Sequence, residues 1–163
     1  MTHIAQNFAS KVSSYREADE AFKVEHQGLT EAATVLYLSL VTDEWTTEQV
    51  RWAFFSFGAH TFASYLDHLG HFDVATIVRQ ALLPLVYGDT EIDLRDNYRV
   101  AEEATKLQKS VQLFDRAFHN DPSRLDSEAA QCLVFLSSLA GAMGCSVLSS
   151  RLESARQMIM LEW

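Results

Sequence analysis

The sequence predicts an all-α protein, a single compact domain of six or seven mostly antiparallel helices built of helical hairpins. Three observations lead there. Apolar residues recur at helical spacing nearly throughout, and no stretch shows the sustained alternation of a half-buried strand. Only two prolines and six glycines interrupt 163 residues. Hydrophobic residues make up 48% of the chain and ten are phenylalanine, which is enough apolar surface for one core at this length.

Each helix has its own signature. Ile4, Phe8, Val12, Tyr15, Ala18 and Phe22 form a first stripe, with Arg16, Glu17, Asp19, Glu20 and Lys23 on the other faces and Gly28 as the stop. Thr30 and Glu31 open a second, "EAATVLYLSLV", whose apolar positions wrap most of its circumference and predict a central place. Thr46 and Gln49 have capping-box spacing and open the third, "TEQVRWAFFSFGAHTFASYLDHL", ending at Gly70. Here Trp52, Phe55, Phe62, Leu66 and Leu69 make a stripe, with Phe54, Phe57 and Tyr65 beside it. So wide an apolar face requires at least two neighbours.

Asp73 is the expected cap of a fourth helix, "VATIVRQALLPLVY", kinked or ended by Pro84, which has no backbone N–H. A fifth runs from about Leu94 to Phe118 on the stripe Leu94, Tyr98, Ala101, Ala104, Leu107, Val111, Phe114 and Phe118, and "HNDPS" stops it. The remainder is one helix or two, depending on Gly141 and Gly144. Residues 129–150 carry no charge and are long enough to span a bilayer. Five serines, a glutamine and the lack of one-sided Lys and Arg flanks favour a buried helix or helix pair over a membrane anchor.

A shift of 48 residues aligns Asp67, His71 and Asp73 with Asp115, His119 and Asp121, a period near that of helical-hairpin repeats. "LGHFDVA", residues 69–75, resembles the turn of a tetratricopeptide repeat, and that likeness implies two antiparallel helices meeting at Gly70. It covers seven residues, and Arg79 stands where that family has an aromatic, so family membership does not follow.

The net charge of -9 opposes a nucleic-acid partner, since phosphate binding needs clustered Lys and Arg. It suits a basic or amphipathic helical segment instead. The N-terminal residues "MTHIAQNFASK" lack the apolar run of a secretory signal, which makes a cytoplasmic location the expectation. Cys132 and Cys145, 13 residues apart, point to nearly opposite faces of a continuous helix, which argues against a disulfide. Nucleophilic catalysis and phosphate loops find no motif, and no cofactor is implied.

Two candidate sites remain. Asp67 with His71 and Asp115 with His119, each four apart, would present carboxylate and imidazole on one helix face as ligands for zinc, iron or manganese, with His60 in reach on a regular helix. Against this, Gly70 and Pro122 read both stretches as helix ends, where an imidazole meets the carbonyl pole of the helix. The second candidate is a partner-binding surface of Trp45, Trp52, Phe54, Phe57 and Tyr65, aromatics in excess of one core stripe. The favoured function is therefore protein binding by a non-enzymatic helical protein such as an adaptor, chaperone or inhibitor. A metal-binding bundle and a small subunit of a larger complex are the alternatives, and a homodimer is another way to cover the aromatic surplus.

Overall fold

The structure, a computed structural model, describes residues 28–42, 45–88 and 90–161, with Leu161 described for its backbone only. The predicted first helix, residues 4–22, lies outside the described residues. Among those described, the chain is all-helical without a strand: α1 (Leu29–Val41), α2 (Thr47–Phe55), a π-helical segment (Ser56–Phe62), α3 (Ala63–His68), α4 (Phe72–Val86), α5 (Asn97–Asn120), a 3-10 turn (Pro122–Arg124), α6 (Leu125–Ala142) and α7 (Ser146–Leu161).

The third predicted helix exists as a continuous rod of α2, π-helix and α3. Its start is the expected capping box: Gln49 N–H donates to Thr46 Oγ1 at 3.2 Å, and Thr46 N–H donates to Gln49 Oε1 at 2.7 Å. Its end is a Schellman turn, in which Gly70 takes a φ of 92° and the His71 N–H donates to Leu66 O at 2.9 Å. The same device separates α6 from α7, with Gly144 at φ 79° and the Cys145 N–H on Ala140 O, also at 2.9 Å. Gly141 stays inside α6, so the uncharged stretch becomes two packed helices. No helix among the described residues is long and apolar enough to cross a membrane.

Three expected starts move. α1 begins at Leu29, with Gly28 rather than Thr30 in the cap position. His71, not Asp73, occupies the cap of α4, and Asp73 lies in the first turn, where its charge still suits the positive pole of the helix. Asp96 caps α5 by accepting from the Arg99 N–H at 3.2 Å, so the helix begins at Asn97, after Leu94. The expected stripe is buried from Ala104 through Leu107, Val111 and Phe114 to Phe118, joined by Val100, while Tyr98 in the first turn is 82% exposed. Pro84 sits near the end of α4, which continues only to Val86.

The helices do not pack solely in sequence order. α6 pairs with α7 and with α5, α1 packs against α5, and α4 packs against α7 as well as against α2, the π-segment and α3. The rod thus touches both α1 and α4, which meets the demand for two neighbours. Phe54, Phe57, Phe62, Tyr65 and Leu66 from the rod join Phe114 of α5, Leu82 of α4 and Leu136 of α6 in one core. Aromatic edges lock it, with Phe114 5.7 Å from Phe62 and 6.0 Å from Tyr65 between ring centres. The α6–α7 seam adds a polar clasp in which Ser137 Oγ donates to Ser149 O at 2.8 Å and Ser149 Oγ to Ser137 O at 2.9 Å.

α1 is not central. Leu29, Ala33 and Leu36 face the core, while Val35, Leu38 and Val41 on its outer face are 44%, 43% and 37% exposed. α5 covers one flank and the rod another; the apolar residues on the third side meet water.

Candidate functional site

The histidine and aspartate pairs separate in space. Asp67 is held by Arg79, whose Nη2 donates to Oδ2 at 2.5 Å. His71 is buried and lies 2.6 Å from Asp126 Oδ1 at the start of α6. Asp115 and His119 remain together, 3.4 Å apart within the last turns of α5. His60 is exposed and packs edge-on against Phe55, with ring centres 5.1 Å apart. Its expected alignment with Asp67 assumed a regular helix. The π-segment, in which the Ala63 N–H reaches back to Gly58 O, has a wider turn and changes that phase, and Gly70 ends the rod before His71. Among the described residues no three His, Cys, Asp or Glu side chains converge as a metal site would need.

The two thiols are free and buried. Burial pushes Cys132 up to about 12, against a weaker opposing hydrogen bond from Ser110. Cys145, just ahead of α7, is also raised by burial, with the Arg51 guanidinium pulling the other way. Neither is a poised thiolate. Arg51 itself has Nε and Nη1 buried without a hydrogen-bond partner among the described residues, with Glu48 Oε1 3.6 Å from Nε.

The aromatic set divides. Phe54, Phe57 and Tyr65 are wholly inside, and the Tyr65 hydroxyl is raised by burial and by the negative charge of Asp115. Their apolar rings fill the space between α1, α4 and α5, so contact with a partner is left to Trp45 and Trp52. Trp52, 53% exposed, stands edge-on to Phe55. Trp45 is half-buried and borders a groove.

That groove, with a volume of about 420 Å³, lies between the end of α1 and the start of α5. One wall is Leu40, Val41 and Trp45; the other is Leu94, Tyr98 and Ala101. Local chemistry places each wall. Thr42 ends α1 by turning both its N–H and its hydroxyl onto Leu38 O, at 3.2 and 2.7 Å, and Trp45 follows before the Thr46 capping box. Across the groove the Asp93 N–H donates to Met143 O at 2.8 Å and Cys145 Sγ to Glu91 O at 3.4 Å, pinning residues 91–94 to the α6–α7 turn. Asp96 then launches α5. Gln108 Nε2 donates to Thr34 Oγ1 at 3.1 Å and fixes α1 against α5. Asp93, held well below the usual carboxylate range at about 2 by hydrogen bonds from Arg95, keeps its charge at neutral pH.

Sequence reasoning singled out Trp45 but not Val41, Leu94 or Tyr98. The available signal was the apolar surface that wraps most of the circumference of α1, which implied more burial than its described neighbours provide. Comparison with family models, with curated proteins and with solved structures gives no match.

Proposed function

We propose that this protein works by binding another protein at the groove between α1 and α5 and along the adjoining outer face of α1. One observation carries the reading: Val35, Leu38, Val41 and Tyr98, four large apolar or aromatic residues, are exposed beside a groove in which the ten described lining residues include no charge. Exposed apolar surface costs free energy in water, and covering it on association returns that cost. Trp45 and Tyr98 are the residue types that dominate interface energetics. Trp52, farther along the rod, extends the aromatic surface.

The test is site-specific photo-crosslinking in the native host. A crosslinker at Tyr98 is expected to trap a defined partner, and Leu38→Arg to abolish the adduct; a crosslinker at Val147, an exposed position on α7, is expected to trap nothing comparable. Equal adducts from both positions, or an adduct indifferent to Leu38→Arg, would refute the groove as the binding surface.

A further inference from the structure

We infer that the protein docked at this surface is a second copy of the chain, related by a two-fold axis that sets the outer faces of two α1 helices antiparallel; the inference rests on the proposed binding function and names its partner. The apolar part comes first. Val35, Leu38 and Val41 follow one another at helical spacing on the outer face of α1, and Val41 also forms the groove wall that faces Tyr98. From Ala32 to Thr42 the chain carries no charge, so two such faces meet without burying one, in keeping with the more apolar interfaces of homodimers.

The two ends of the track select the partner. A two-fold interface presents the same patch from both sides, so what stands at one end must suit what stands at the other. Here the ends carry opposite charges. Glu31 is exposed in the first turn of α1, four residues before Val35, and makes no ion pair with a described residue. Arg99 is exposed in the first turn of α5, next to Tyr98 of the groove wall, and its guanidinium makes none either. With two α1 helices antiparallel, Val35 and Leu38 of one copy lie against Leu38 and Val35 of the other. Glu31 and Val41, ten residues apart, are separated by about 15 Å along the axis, which brings each Glu31 to the end of the other copy's α1, where its Arg99 stands. An anionic end alone would favour a basic partner and a cationic end alone an acidic one; one of each about an apolar stripe is complementary to itself. The net charge of -9 repels the copies at long range, but physiological salt screens that repulsion beyond about 8 Å, whereas the apolar stripe and the two Glu31–Arg99 contacts act at close quarters.

Sedimentation equilibrium of the full chain at about 0.15 M salt is the test. The wild type is expected to dimerise reversibly, and Leu38→Arg to be monomeric at the same concentrations. Glu31→Arg and Arg99→Glu each set like charges together at both ends of the interface and are each expected to weaken the dimer about tenfold; the combined Glu31→Arg/Arg99→Glu exchange is expected to restore it. Val147→Arg, on α7, is expected to change nothing. All four positions are exposed, and circular dichroism verifies folding. A wild type that stays monomeric up to about 1 mM, a dimer indifferent to Leu38→Arg, or an exchange that fails to restore association would each overturn the inference. Crosslinking at Tyr98 then judges the binding function separately: an adduct with a different protein would leave that function standing, and no adduct would overturn it as well.

Discussion

At Gly58 the backbone has room for a hydrogen and nothing more: a β-carbon there would overlap Leu82 Cδ1, the end of a fully buried side chain, with Leu136 Cδ2 also near. Glycine to alanine inside a helix ordinarily stabilises by about 1 kcal/mol. Overpacking of a closed core costs about 1–3 kcal/mol, and the completely buried Leu82 must shift to make room. Gly58→Ala is therefore expected to lower unfolding stability by about 1–2 kcal/mol in urea titrations, and the Gly58→Ala/Leu82→Ala pair to be less destabilised than the sum of its single changes. A different residue-scale effect is electrostatic. Asp93 titrates near 2 because Arg95 bonds its carboxylate. A depressed carboxyl contributes stability above its unfolded pKa and loses it as pH falls through the folded one, so this local contribution is expected to be full above about pH 4 and lost toward pH 2. Carbon-13 NMR of the carboxyl should give a midpoint near 2 that Arg95→Gln returns toward the normal value of 3.8.

The elements show which sequence signals survive folding and which are overruled. Caps survive. The Thr46 box and the glycine turns at Gly70 and Gly144 depend on bonds within a few residues, so their chemistry is readable in the linear chain. Faces are less secure: the α5 stripe is buried from Ala104 to Phe118, while Tyr98, assigned to the same stripe, is 82% exposed in the first turn. α1 offers apolar residues round most of its circumference, and only its neighbours decide which are buried. The functional assignment makes the outer face dispensable for folding. Leu38→Ser and Tyr98→Ala are each expected to change unfolding stability by no more than about 0.5 kcal/mol while reducing partner binding. A large loss of stability from either, seen by thermal or urea unfolding, would place these residues in the core.

For the whole molecule the decisive joint is between the α2–π–α3 rod and α5. Phe114 reaches across it to Phe62 and Tyr65, while Tyr65 also meets Phe118 with ring centres 5.0 Å apart. Phe114→Ala is expected to cost about 3–5 kcal/mol, a large share of the about 5–15 kcal/mol that holds a domain folded. Urea or thermal unfolding followed by circular dichroism measures it. The joint also sets the site, because α1 leans on α5 and the rod together, and the groove is what remains where α1 stops short of covering the start of α5.

Helix existence, the all-α class and the helix ends at Gly70 and Asp121 were legible from the chain because periodicity and capping are local. So was the separate fate of the two Asp/His stretches as helix ends, signalled by Gly70 and Pro122. The partners of those residues were not legible: Arg79 for Asp67 lies twelve residues away, and Asp126 for His71 fifty-five. Nor was the division of the aromatics. Trp45, Trp52, Phe54, Phe57 and Tyr65 are equally apolar as letters, and their burial depends on how helices distant in sequence come together. Composition and local spacing thus determined what the elements are. Only tertiary packing decided which apolar faces meet one another and which, along α1 and its groove, still face water, because burial belongs to pairs of elements and not to either alone.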